Sequence, residues 1–266
     1  IADAKGEICE GLESGGVAIL PFDSPHYARL RAKAEQHTDQ IITFGLNEGA
    51  DVRALDHIRA PNGGSLVTAQ VGDRKLVYTL AETGLHWVSN SLAVLAATYA
   101  AHGDLASAGL ALAELEGMAG RGKRHRIATP DGGTALLIDE SYNANPASMA
   151  ATIGELGQEK VTRRLVVLGA MKELGDKSDG YHMGLAAPLA AANIDFAVTV
   201  GDEIRILGEK LAAGLEGPAD FAHGNSVEEA IALVRAQLRD GDALLVKGSN
   251  SVGLSKLVAA LVGESA

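Results

Sequence analysis

The feature that most narrows the fold is a rhythm in the second half of the chain. Short apolar runs at Ala135–Ile138, Leu165–Leu168, Phe196–Val200 and Ala243–Val246 alternate with helical patterns at roughly 30- to 45-residue spacing. An apolar run without polar alternation is a strand covered on both faces, and strands separated by a helix pair in parallel. The rhythm therefore predicts an open, parallel α/β sheet. Ser226, three residues before Glu229, forms a capping box ahead of Ala230–Val234. Leu254, Leu257, Val258, Leu261 and Val262 trace one stripe of a last amphipathic helix, with Asn250 or Ser251 as its cap.

The first half carries a different mixture. Val17–Leu20 reads as a buried strand, Ser24-Pro25 as the N-cap and first residue of a helix reaching about His37, and Ile41–Gly45 as a second strand. Together they make a β-α-β unit. Ser65–Val71 and Lys75–Leu80, joined by Gly72-Asp73, read as an antiparallel hairpin or meander between about Asp51 and Leu80. Two helices follow, near Trp87–Ala101 and Leu105–Leu115. Apolar periodicity then stops, and the glycines of Gly117–Gly122 mark a boundary between domains at 1–118 and 119–266 and a hinge for motion between them. The length of 266 residues agrees with roughly two domains at ~150 residues each. Ala2–Ile8 reads as mid-helix with no cap before it, so the expectation is a piece of a longer protein.

Charge limits the partners. With 23 Lys and Arg against 34 Asp and Glu, the net charge is −11, and a chain this acidic is a poor phosphate-backbone binder. The single cysteine, Cys9, excludes an intrachain disulfide framework and reads as a small apolar residue. The longest stretch free of Asp, Glu, Lys and Arg, Thr83–Gly103, contains His86, Ser89, Asn90, Ser91, Thr98 and His102 and is too polar to span a membrane. No basic segment precedes an apolar run at the start. These features predict a soluble cytoplasmic protein with no nucleic-acid partner and no membrane insertion.

Three segments can carry chemistry. In Ile138-Asp139-Glu140-Ser141-Tyr142-Asn143-Ala144-Asn145-Pro146, a buried strand ends in two carboxylates, and Asn145-Pro146 caps and starts a helix. Ligands of open parallel sheets bind beyond the carboxyl ends of strands, where such carboxylates accept from ribose hydroxyls or hold a hydrated metal; a plain turn and cap explains the segment equally well. Gly120-Arg121-Gly122-Lys123-Arg124-His125-Arg126 is a basic island that reads as a phosphate contact or, more simply, as a solvated linker. Lys247-Gly248-Ser249-Asn250-Ser251 repeats the strand-then-polar-loop arrangement, suited to a carboxylate or phosphate. His86 and Asn90 lie one helical turn apart without a metal-ligand partner at useful spacing. No G-x-x-x-x-G-K-[ST] occurs, so the ordinary nucleotide phosphate cradle is absent from these residues.

Taken in order, these segments resemble the Mur ligases of peptidoglycan synthesis. The resemblance is carried by Ala4-Lys5-Gly6-Glu7-Ile8, the turn from His86 to Asn90, Gly120-Arg121, Asp139–Pro146, Leu168-Gly169-x-Met171-x-Glu173-Leu174-Gly175 with His182, and Val246-Lys247-Gly248-Ser249. It implies an α/β fold: the remainder of a central ATPase domain, a mixed sheet with helices, followed by a Rossmann-like C-terminal domain. The Ser-Tyr-Asn-Ala-Asn-Pro and Met-x-Glu-Leu-Gly strings resemble most the member that joins D-alanyl-D-alanine to UDP-N-acetylmuramoyl-tripeptide. That implies an ATP- and Mg²⁺-dependent, monomeric ligase working through an acyl phosphate, of which this chain by itself is an inactive part.

The roles implied by the resemblance fall on individual positions. Lys5 matches a lysine carbamylated in relatives, where the carbamate supports Mg²⁺; without the rest of that site Lys5 is expected unmodified, and no residue here is a direct metal ligand. Asn90 matches an asparagine near the nucleotide, and Arg121 an arginine that reaches ATP phosphates, which makes Lys5 and Arg121 the catalytic candidates. Asp139, Glu140, Tyr142, Asn143 and Asn145 complete the ATP-binding set, with Glu140 standing where relatives carry a ribose-binding aspartate and Asp139 as its substitute. Lys247, Ser249 and Ser251 are the substrate-binding candidates for the D-Ala-D-Ala end. Trp87, Ala170 and Asn250 depart from the family pattern, standing where an asparagine, an aspartate and an arginine are common. Two further readings compete: a Mur-type ligase that adds a single amino acid, and a non-catalytic nucleotide- or peptide-binding module.

Overall fold

The computed structural model describes residues 2–60, 64–115, 118–213, 217–218 and 220–263, so Gly117, which opens the expected boundary segment, lies outside the described residues. The chain divides into two compact units, Ile1–Glu116 and Gly117–Ala266.

The first unit is a five-stranded sheet in the order β1-β2-β3-β4-β5, formed by β1 (Ala18–Pro21), β2 (Ile41–Gly45), β3 (Val52–Arg59), β4 (Ser65–Val71) and β5 (Arg74–Leu80). β1, β2 and β3 run parallel, whereas β3, β4 and β5 form the antiparallel meander. The helices are α1 (Ala2–Gly6), α2 (Tyr27–Ala34), α3 (Leu85–Ala100) and α4 (Leu105–Glu114). Alternation decides which face is covered: Val67, Ala69 and Val71 on β4 and Tyr78 and Leu80 on β5 pack with Val88, Leu92, Leu95 and Ala96 of α3. A smaller cluster joins Cys9, Ala18, Leu20 and Ala34, so Cys9 is a packing residue. The first helix after β1 begins at Tyr27, later than Pro25. Ser24 accepts the His26 N–H on its Oγ and the Tyr27 N–H on its carbonyl, which closes a turn before the helix starts.

The second unit is a six-stranded sheet in the order β10-β9-β8-β11-β7-β6. Its strands are β6 (Lys123–Ala128), β7 (Thr134–Glu140), β8 (Arg164–Gly169), β9 (Phe196–Val200), β10 (Asp220–Gly224) and β11 (Ala243–Lys247). All neighbours are parallel except the β6–β7 pair at one edge. One face carries α5 (Pro146–Gly157), α6 (Ser178–Met183), α7 (Ala186–Ala191) and α8 (Arg205–Ala212); α9 (Val227–Gln237) and α10 (Ser255–Val262) cover the other. β8, β9 and β11 are buried on both faces, which is why their sequences read as unbroken apolar runs.

The two strands absent from the sequence reading, β6 and β10, are the two edges. Half of the basic island is thus an edge strand: Arg124 turns to Glu159 on one side, while Ile127 enters the core on the other. Edge strands tolerate such charge because one side needs no partner. The last helix also differs. Asn250–Val252 form a separate 3₁₀ turn closed by a left-handed Gly253, so neither Asn250 nor Ser251 caps α10. At α9 the Ser226 Oγ accepts the Glu229 N–H as expected, but the Glu229 carboxylate takes the Asn225 N–H at 2.8 Å in place of the Ser226 N–H.

Candidate functional site

Register brings the predicted segments of the second unit together. Lys247 at the end of β11 stands opposite Glu140 at the end of β7 and Leu168 near the end of β8. The loops after these three strands therefore leave the sheet side by side at its carboxyl edge, where parallel sheets bind ligands.

The loop after β7 is held from beneath. Lys247 is almost wholly buried, and its Nζ donates to Glu140 Oε2 at 3.2 Å and to the Asn143 carbonyl at 3.0 Å. A buried ammonium needs such partners, because desolvation without compensation is costly. The consequence is that Lys247, read from sequence as a substrate contact, is occupied inside the chain as the clamp between β11 and the β7 loop. Asn145 caps α5, its Oδ1 accepting the Ser148 N–H at 2.9 Å while its own N–H donates to Ser148 Oγ, with Pro146 at the first helical position.

Asp139 organises the other side. It is 4 % exposed; one oxygen accepts the Gly120 N–H at 2.6 Å and the other accepts the N–H and O–H of Ser141. With both oxygens engaged, Asp139 fixes the Gly120–Arg121 segment onto the β7 loop, whereas Glu140 gives one oxygen to Lys247 and its other oxygen has no hydrogen-bond donor among the described residues. Gly120 adopts φ +73°, and a Cβ there would stand 2.7 Å from Tyr142 Cβ. That close approach lets the Tyr142 N–H reach the Gly120 carbonyl and sets the Arg121 guanidinium 4.5 Å from the Tyr142 ring centre. Arg121, Tyr142 and Asn143 are exposed on this framework, a cation, an aromatic face and an amide presented together. Such a group suits an anion attached to a planar base. A cleft of about 300 Å³ beside them is lined by Lys123, His125, Asp139, Tyr142, Asn250 and Ser255.

Ser249 sits beside the loop that follows β8. Its N–H donates to the Ala170 carbonyl at 3.2 Å, and its Oγ accepts the Lys172 N–H at 3.0 Å. The two loops touch because Gly169 and Gly248 lack side chains: a Cβ on Gly248 would meet Gly169 Cα at 2.9 Å. Met171 and Lys172 are in turn anchored by His182, which is fully buried on α6 and accepts the Met171 N–H on Nε2 at 2.9 Å. Neither Lys172 nor His182 stood among the candidate residues; the histidine alone was named, as a companion of the Met-x-Glu-Leu-Gly motif that precedes it. Ser251 is exposed in the 3₁₀ turn.

In the first unit, Lys5 on α1 and Asn90 on α3 are both exposed. Asn90 shares its helix face with His86, whose ring lies tilted beside that of Trp87 with centroids 5.7 Å apart. Among the described residues no three His, Cys, Asp or Glu side chains gather to hold a metal, so the side chains present do not by themselves fit a Mg²⁺ centre. No helix among them is long and apolar enough to cross a membrane.

Two family models match: the Mur ligase middle domain over residues 1–98 and the Mur ligase glutamate ligase domain over residues 124–250. A UDP-N-acetylmuramoyl-tripeptide–D-alanyl-D-alanine ligase of Synechocystis sp. is 32% identical over 268 residues, covering 100% of this chain and 54% of the relative. A crystal structure of MurF from Acinetobacter baumannii superposes with a TM-score of 0.80 at 30% identity, covering 99% of this chain and 55% of that one. MurF from Thermotoga maritima, solved in complex with ADP, shares the fold with a TM-score of 0.78 at 21% identity. The chain spans about half the length of the relatives it matches.

Proposed function

The chain belongs to the Mur ligase family, whose middle and C-terminal domains it carries, and on that premise we propose that its natural protein joins D-alanyl-D-alanine to UDP-N-acetylmuramoyl-tripeptide at the expense of ATP. The observation that carries this reading is the full-chain similarity to relatives bearing that activity in their name, at 29 to 32% identity in Synechocystis sp. and Escherichia coli. The site geometry is compatible with it.

A carboxylate is a poor electrophile, so the reaction needs an activated acyl group. The tripeptide carboxylate oxygen attacks the γ-phosphorus of ATP, the bond to ADP breaks, and an acyl phosphate forms. The dipeptide amine then attacks the acyl carbon, phosphate leaves with the C–O bond pair, and the amine nitrogen gives up a proton to yield the amide. Most of such catalysis is positioning and charge stabilisation. Arg121, exposed and braced on Tyr142, is the phosphate contact in this reading. Glu140, Tyr142 and Asn143 face the nucleoside, while Asp139, Asn145 and Lys247 hold that loop in shape. Ser249, and Ser251 beyond it, offer hydroxyls to the dipeptide carboxylate. Within the first unit, Asn90 is the nucleotide-side residue and Lys5 the catalytic lysine in this reading, and a carbamate on Lys5 would support Mg²⁺ in the natural protein. The same reading makes the protein monomeric and cytoplasmic, with 1–118 ending the ATP-binding domain and 119–266 forming the ligase domain. It also makes residues 1–266 alone unable to hydrolyse ATP, since they contain no phosphate loop.

The test is phosphate release by the natural protein, including whatever sequence precedes Ile1, with Mg-ATP and UDP-N-acetylmuramoyl-tripeptide. Release that requires D-Ala-D-Ala supports the reading. Release driven by single amino acids assigns a different Mur-type ligase, and release driven by no amine leaves a binding module.

A further inference from the structure

We propose that His182 is a positioning residue for Ser249, acting through the backbone of the loop that follows β8, and that it works only as the neutral Nδ1–H tautomer. The part of this that concerns the dipeptide rests on the function proposed above.

The chain of contacts is short. The His182 Nδ1 lies 3.0 Å from the Ser178 carbonyl, an acceptor only, so Nδ1 carries the proton. Nε2 is then a bare lone pair, and it accepts the Met171 N–H at 2.9 Å. Met171 leads directly to Lys172, whose N–H donates to Ser249 Oγ at 3.0 Å. Glu173, the next residue, is held at φ +62°, a conformation a non-glycine residue adopts only where its surroundings impose it. A hydroxyl has one donor and two acceptor positions. Because Ser249 Oγ receives a hydrogen bond from the loop, its own proton is directed to another acceptor. Ser249 is 8 % exposed and stands at the carboxyl edge of the sheet, so the acceptor it suits is an oxygen of a small anion such as the dipeptide carboxylate.

The arrangement is sensitive to protonation. A doubly protonated imidazole would turn an N–H against the Met171 N–H, two donors face to face, and the loop would have to move. Burial opposes that proton and lowers the affinity of His182 for it, partly offset by the Ser178 carbonyl and by the charges of Glu203 and Asp179; Lys172 adds to the lowering. Lys172 and Glu203 form an ion pair across this loop, Asp179 lies on the same helix as His182, and these are the charged groups that act on the ring.

Two measurements test this. In long-range ¹H–¹⁵N spectra of the 266-residue chain, His182 should show a protonated Nδ1 and an unprotonated Nε2 at neutral pH. On acidification the amide signals of Met171, Lys172 and Ser249 should shift together, with one midpoint below the ordinary histidine value. An Nε2–H tautomer, or Ser249 unmoved while His182 titrates, would overturn the link. In the natural protein, His182→Leu should raise KM for D-Ala-D-Ala about tenfold, the effect of one lost hydrogen bond, with KM for ATP unchanged. His182→Gln, which keeps an acceptor for Met171, should recover most of the loss. Ser249→Ala should cost as much, and the double variant no more than either single one. Equal changes in both KM values, or a loss in kcat alone, would reduce His182 to a folding residue. If the wild type shows no dipeptide-dependent release, the function reading and the dipeptide part of this proposal fall together, and the tautomer still decides the His182–Met171 link.

Discussion

The two units present their candidate residues in opposite ways. Lys5 and Asn90 stand exposed on helices of the first unit, one in the last turn of α1 and one in the first half of α3. In the second unit the candidates form two layers. Asp139 and Lys247 lie beneath and bond to the chain itself, while Arg121, Tyr142 and Asn143 lie above them and face outward. The lesson is that position in a motif does not separate a contact residue from the residue that holds it. Burial and hydrogen bonding do. Substitutions below should damage folding and activity together, whereas those above, or in the first unit, should damage activity alone.

The largest effect should come from the lower layer. Lys247→Met leaves the Glu140 carboxylate, 13 % exposed in its side chain, without its ammonium and frees the Asn143 carbonyl. Removing one member of a buried pair costs about 3–5 kcal/mol, so the urea midpoint of the chain should fall steeply. Changing Glu140 to Gln at the same time should recover much of it, since the uncompensated charge is gone. A midpoint unchanged in Lys247→Met would mean that Lys247 faces ligand after all and the two layers are misassigned.

Arg121→Ala tests the upper layer. Loss of one preorganised group that stabilises transferring charge costs about 10²–10³ in kcat. Phosphate release by the natural protein should drop by that factor while the unfolding midpoint stays put, because among the described residues the Arg121 guanidinium rests on the exposed ring of Tyr142. Lys5→Ala should behave alike, activity lost and stability kept. A fall in stability with either variant would erase the contrast between layers.

Much of this was legible in the sequence, for physical reasons that differ by element. β8, β9 and β11 announced themselves because strands covered on both faces need apolar side chains throughout. The α5 start was legible because Asn-Pro is both a cap and a first helical residue, and the structure uses both. The edge strands β6 and β10 were not, because Lys123–Arg126 and His223 satisfy an edge without producing an apolar run. The site was legible as a set of loops and illegible as two layers. Nothing in Asp139-Glu140 says which carboxylate turns inward; that is settled by the Gly120 N–H, nineteen residues earlier in the chain, meeting the Asp139 carboxylate across the β6–β7 pair. Lys247 likewise reads as a polar residue after a strand, and only its register opposite Glu140 makes it a clamp.

A smaller effect separates shape from contact within one loop. Asn145→Ala removes the cap of α5 and should cost about 1 kcal/mol in the unfolding midpoint. Asn145→Ser keeps a capping oxygen and should restore the stability. If the role of Asn145 is to hold the loop, Asn145→Ser restores activity too. Recovery of stability without recovery of activity would instead move Asn145 into the upper layer, as a direct contact.

The smallest effect should be the most discriminating. Tyr142 is 49 % exposed, and its ring supports Arg121 by a cation–aromatic contact worth about 0.5–1 kcal/mol at an exposed position. If that contact only pre-sets the guanidinium for the phosphate, Tyr142→Leu should lower kcat about two- to fivefold, a change of the same size in free energy. Tyr142→Phe, which keeps the aromatic face and removes the hydroxyl, should leave kcat as it was. KM for ATP decides the alternative. Should Tyr142→Leu raise it while kcat holds, the ring binds the nucleotide directly, and the bracing of Arg121 is incidental to the reaction.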